Sequence, residues 1–92
     1  MVDFDKYDKI IKECRDLGVG KNLLYGDESL KLFNGTSIFV RMYDKIERLK
    51  NLYTKKDLYG DFLEQQKETI EDTLKDLINY SVYLILSERG EL

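Results

Sequence analysis

Histidine and proline are missing from this 92-residue chain, cysteine occurs once, and glycine is confined to six positions. Without histidine there is no His-ligated zinc, no Ser-His triad and no imidazole acid–base chemistry. Any catalysis would have to run on carboxylates, lysine, tyrosine and a metal ion. A single cysteine, Cys14, excludes an internal disulfide and reads as an intracellular, cytoplasmic protein. Thiol catalysis usually enlists a histidine, so Cys14 itself reads as a helix residue facing a core or an interface. No apolar run approaches the roughly 20 residues that cross a bilayer, and the acidic start MVDFDKYD does not read as a signal peptide. A net charge of −3 with no basic stripe argues against membrane binding and against general duplex nucleic-acid binding. Lone basic side chains can still contact the phosphates of a small nucleotide.

What is present is charge and helical periodicity. Charged residues make up 36% and hydrophobic residues 42% of the chain, a composition too apolar for disorder. The length allows one domain, residues 1–92, with a core so small that oligomerisation is a common remedy. Glycines and polar connections divide the chain into helical segments. The first is expected over Asp3–Leu17, with Gly18 as its C-cap. Lys21–Phe33 reads as a short helix and an irregular turn around Tyr25-Gly26-Asp27. A further helix is expected after Asn34-Gly35, capped by Thr36 or Ser37 and continuing to about Lys55. Its apolar face is Ile38, Met42, Ile46, Leu49 and Tyr53. After a polar connection, Thr54–Gly60, the last helix is expected over Asp61–Ser87. Its Leu77–Leu86 stretch is apolar nearly all round, which in a chain this small points to a subunit interface. The expected fold class is all-α.

The acids carry the main chemical signal. Glu64, Glu68, Asp72 and Asp76 recur every fourth residue and form one stripe of a helix. Like charges so spaced repel unless they are solvated or offset by a cation. Asp72, Asp76, Asn79 and Tyr83 continue along one face, and Asp76 and Asn79 lie where the helix turns apolar. A carboxylate at the edge of a buried face needs a partner. The preceding helix carries Asp44 and Glu47 among Arg41, Lys45, Arg48 and Lys50. Antiparallel packing of the two helices would bring Asp44 and Glu47 toward Asp72 and Asp76. Facing carboxylates are one way to hold a hard ion such as Mg²⁺; surface ion pairs, each worth under about 1 kcal/mol, are the simpler alternative.

The run RMYDKIERLKNL (Arg41–Leu52) followed by ETIEDTLKDLINYSVYLI (Glu68–Ile85), with Lys21-Asn22 and Tyr25-Gly26 upstream, resembles the nucleotide modification-associated domain family, type one. Those are small all-helical proteins, frequent in phages, related to the MazG-like all-α nucleoside triphosphate pyrophosphatases. The likeness spans about Gly20–Leu86. It implies a small helical bundle of that type, lying in the host cytoplasm if phage-encoded; the short chain and the apolar Leu77–Leu86 stretch suggest that a dimer or a tetramer completes it. It further implies a nucleotide held between the helices, with Mg²⁺ or Mn²⁺ bridging carboxylates and phosphates. Asp44, Asp72 and Asp76 would then be catalytic, and Asp44, Glu47, Glu68, Asp72 and Asp76 would hold the metal. Lys21, Arg41, Lys45 and Arg48 would contact phosphate, while Tyr25, Asn79 and Tyr80 would meet base or sugar. The activity implied is a metal-dependent nucleoside triphosphate pyrophosphohydrolase. In this chain the first acidic pair is Asp44-x-x-Glu47, and Thr73 stands where the related enzymes place a glutamate. A second reading is therefore open: a non-catalytic nucleotide-binding sponge that sequesters a nucleotide signal in phage anti-defence.

Overall fold

A computed structural model describes residues 1–55 and 67–92, with side chains described outside 67–69. All regular structure in these residues is helical: α1 (Phe4–Tyr25), α2 (Glu28–Lys31), a 3₁₀ turn (Leu32–Gly35), α3 (Thr36–Thr54) and α4 (Lys67–Glu88). The all-α expectation is met. The far end of the expected connection, the start of the last helix at Asp61, Glu64 and the Glu68 side chain lie outside what is described.

α1 begins where its sequence supplies a cap. The Asp3 carboxylate accepts the N–H groups of Asp5 at 3.0 Å and Lys6 at 3.3 Å, satisfying donors that the first turn leaves open. Its end departs from expectation: the helix runs past Leu17 and through Gly18, and it is closed at Gly26, whose N–H donates to the Asn22 carbonyl at 2.8 Å. The reason lies in packing. A Cβ at Gly18 would stand 2.9 Å from the Tyr83 hydroxyl and 3.3 Å from Asn79 Nδ2, so this glycine marks a close approach of α1 to α4 rather than a helix stop. Lys21–Tyr25 accordingly belongs to the last turns of α1, and the irregular turn falls at Gly26-Asp27.

Between α2 and α3 the chain turns sharply. Phe33, Asn34 and Gly35 take successive left-handed conformations, with φ of 56°, 51° and 92°. Gly35 is the residue that must be glycine, because a Cβ there would also meet Ser87 Oγ at 3.0 Å and Leu84 Cδ1 at 3.2 Å. Gly35, not Thr36 or Ser37, occupies the N-cap of α3. The Ser37 hydroxyl instead donates to the Ser29 carbonyl at 2.8 Å and ties α3 back to α2.

α3 and α4 form the main helix pair. Gly35 lies against Leu84 and Ser87 while Lys45 meets Asp76, so the two run antiparallel, the arrangement considered for the acidic residues above. The buried apolar side chains among the described residues are Cys14, Leu30 and Ile38. Ile38 is the only member of the expected α3 apolar face to be fully covered; Ile46 and Tyr53 are more than half exposed. No helix among the described residues is long and apolar enough to cross a membrane.

Candidate functional site

Three helices meet at one carboxylate. Asp76, on α4, is 8% exposed. Its Oδ1 accepts from Lys21 Nζ of α1 at 2.6 Å, and its Oδ2 lies 3.2 Å from Lys45 Nζ of α3. The partner that the buried-edge argument required is thus a pair of ammonium groups. Burial pulls the Lys21 pKa down, but the hydrogen bond and negative charge of Asp76, helped by Tyr80 and Asp72, outweigh it and leave the group above its ordinary value. Lys21 is therefore firmly cationic at neutral pH.

Asp76 forms part of the wall of a cleft of about 220 Å³ between α1, α3 and α4. Lys21, Asn22 and Tyr25 line it from α1, Arg41 from α3, and Asn79, Tyr80 and Tyr83 from α4. The side chains on the α4 wall are held in place. Asn79 Nδ2 donates to the Cys14 carbonyl at 2.9 Å, which leaves the amide oxygen as the free acceptor of that side chain. The rings of Tyr80 and Tyr83 pack edge to face with centroids 6.4 Å apart. Burial, then the proximity of Tyr80 and Asp76, raise the Tyr83 hydroxyl above the usual tyrosine range against the opposing pull of Lys21. It remains a neutral donor and acceptor.

The residues expected to meet a nucleotide come together to a large extent: Lys21, Tyr25, Arg41, Asn79 and Tyr80 share the cleft, and Lys45 reaches Asp76 at its wall. Arg48 is exposed and does not line it. The residues expected to hold metal do not gather in the same way. Asp44 and Asp72 are exposed, Glu47 is half-buried, and none of the three lines the cleft. In the α3–α4 register it is Lys45 rather than its neighbour Asp44 that meets Asp76. Among the described residues no group of three or more acidic or cysteine side chains is placed to share a metal ion. Each oxygen of Asp76 already faces an ammonium group, so an ion held there would have to displace a lysine.

Gly18, Asn22, Gly26, Ser29, Leu30 and Tyr83 also line the cleft, and none had drawn a ligand role from the sequence. Tyr83 was visible as the continuation of the Asp72–Asp76–Asn79 stripe. Gly18 was hidden by its ordinary reading as a helix terminator. Compared with protein-family models, curated proteins and solved structures, the chain matches none.

Proposed function

We propose that this chain is a nucleotide-binding protein that holds its ligand without hydrolysing it. The observation that carries the reading is the bridging of Asp76 by Lys21 and Lys45 at the wall of a cleft that Arg41 also lines. Two lysines meet the buried carboxylate and Arg41 lines the same cleft, so phosphate oxygens can be met directly by protein N–H donors. Tyr25 and Tyr80 offer faces on which a base stacks. The Asn79 amide oxygen is left to accept from an amino or hydroxyl group. The cleft supplies cations and rings where a metal-dependent pyrophosphohydrolase would need free carboxylates. A sequestering protein, the sponge reading, fits this chemistry better than the hydrolase reading does.

The test is incubation of purified protein with a panel of nucleoside triphosphates and mono- and dinucleotides, once with Mg²⁺ and once with EDTA. Chromatography then resolves both the supernatant and the material released by heating. Depletion from the supernatant in both buffers, with unchanged nucleotide recovered after heating, is the expected result. Conversion of a triphosphate to monophosphate and pyrophosphate that requires Mg²⁺ would replace this reading with the hydrolase. Failure to deplete any nucleotide would remove both.

A further inference from the structure

We propose that Asp76 sets the charge the cleft accepts and restricts it to nucleotides with a single phosphate, a specificity role that rests on the nucleotide-binding reading. Lys21 Nζ lies 2.6 Å from one oxygen of the carboxylate and Lys45 Nζ 3.2 Å from the other. The two ammonium groups converge on one point instead of forming a track along which successive phosphates can lie. Among the described residues, Lys21 and Arg41 are the cations that line the cleft. Lys21, Lys45 and Arg41 set against Asp76 leave two net positive charges at the site. A phosphate monoester carries about −1.5 to −2 near neutral pH, so one such group balances them.

A longer phosphate chain fits poorly. Asp76 is 8% exposed and stands in the cleft wall, where solvent screens its charge less than at the surface. Asp72, one helical turn earlier on α4, adds a negative charge that reaches Lys21. The cleft holds about 220 Å³, less than the ~300 Å³ from which ligand pockets usually start, so further phosphates have little room inside it. Outside it they meet a chain whose net charge is −3. A divalent ion can neutralise a triphosphate, but no group of three acidic or cysteine side chains among the described residues is placed to share one. With a neutral side chain at position 76 the three cations would stand unopposed, and that balance suits a di- or triphosphate. The carboxylate therefore does more than tie α1 and α3 to α4: it sets an upper limit on ligand charge.

The test is calorimetric titration of the wild type in EDTA with the mono-, di- and triphosphates of the four common ribonucleosides, and with dinucleotides carrying two phosphodiesters. The best-bound nucleoside should bind as its monophosphate roughly tenfold or more tighter than as its triphosphate, the equivalent of about 1.4 kcal/mol. A triphosphate or a dinucleotide that binds as tightly as the monophosphate would overturn this inference and leave the nucleotide reading standing. Binding of none of them would remove the nucleotide reading, and this inference with it. Asp76→Asn, if its melting curve shows it folded, should lose the preference by gaining triphosphate affinity; a folded variant that keeps the preference would remove Asp76 as its cause. Asp72→Lys changes an exposed side chain and adds positive charge beside the site without touching the Asp76 ion pairs. It should also favour the triphosphate, and an unchanged ratio there would show that charge does not set the selectivity.

Discussion

Lys21 Nζ and Asp76 Oδ1 lie 2.6 Å apart, joining α1 to α4 across 55 positions of chain. A contact between elements so distant in sequence must overcome the entropy of closing the intervening loop. It does so here at a carboxylate that is already largely buried and whose other oxygen lies 3.2 Å from Lys45 Nζ. Removing the carboxylate leaves the two ammonium groups that share it without their common partner. Asp76→Ala should therefore destabilise the fold by about 3 kcal/mol, the lower end for breaking a buried ion pair, read as a lower denaturant midpoint. Asp76→Asn keeps the shape and loses the charge. Its melting temperature should rise more than the wild type's on adding inorganic phosphate, since the anion can then occupy the place of the carboxylate. A phosphate response no larger than that of the wild type would contradict the proposed role of these lysines.

Gly18 and Gly20 provide a contrast within one helix. Nothing lies within 4 Å of a Cβ built at Gly20, whereas one at Gly18 meets Tyr83 and Asn79. Gly20→Ala should stabilise the protein by up to about 1 kcal/mol through helix propensity alone. Gly18→Ala gains the same propensity but pushes against Asn79 and strains its hydrogen bond to the Cys14 carbonyl, a bond worth about 1 kcal/mol. Its melting point should stay close to that of the wild type while nucleotide affinity falls. Equal thermal shifts for the two variants would show that the α1–α4 approach is looser than described.

The difference between these glycines shows where the sequence could be read and where it could not. Helical periodicity identified α3 and α4, because each presents an apolar stripe with charges beside it, and their antiparallel packing entered only as a condition for the acids to meet. The periodicity also marked Asp76 as a buried acid in need of a partner. It did not reveal that partner, because a lysine 55 positions away leaves no local trace, and Lys45 beside Asp44 reads equally well as a surface charge. Gly18 failed for a similar reason: a glycine that ends a helix and one that admits a neighbouring helix look alike until the neighbour is known. The fold class was legible from local pattern, whereas the site depended on long-range pairing.

Stability should fall toward alkaline pH. Cys14, Lys21, Lys75 and Tyr83 all titrate above their ordinary values in the folded chain. Burial dominates for Cys14 and Tyr83, whereas hydrogen bonding to Glu13 dominates for Lys75 and the Asp76 interaction outweighs burial for Lys21. A group whose pKa is raised by folding contributes stability that is full below its unfolded value and is lost as pH rises through the folded one. The ordinary values are 9.0 for Cys14, 10.0 for Tyr83 and 10.5 for the lysines, so the decline should begin near pH 9 and steepen above pH 10. Thermal melts between these limits measure it. Lys21→Met should flatten the upper part of the curve; an unchanged slope would mean that the Lys21–Asp76 bond contributes nothing there.

Arg41 separates binding from folding better than the lysines do. It lines the cleft, yet no described carboxylate is paired with it, so its removal leaves no buried charge behind. Lys45→Met, by contrast, takes away one of the two partners of Asp76 and should weaken both stability and affinity. Charge-assisted hydrogen bonds contribute about 1.5–3 kcal/mol, so Arg41→Ala should weaken nucleotide binding by about tenfold to a hundredfold with a nearly unchanged melting point. Tyr25→Ala removes a largely exposed ring and should lower affinity by a comparable factor through lost stacking. The two losses should differ in their dependence on salt. The Arg41 variant should show a shallower decline of affinity with ionic strength than the wild type, because one phosphate contact is gone. The Tyr25 variant should keep the wild-type slope. Calorimetric titration in EDTA, with the nucleotide recovered in the heat-release experiment, at several salt concentrations provides both measurements. Identical affinities for wild type and Arg41→Ala would place the phosphates elsewhere and remove the cleft as the nucleotide site.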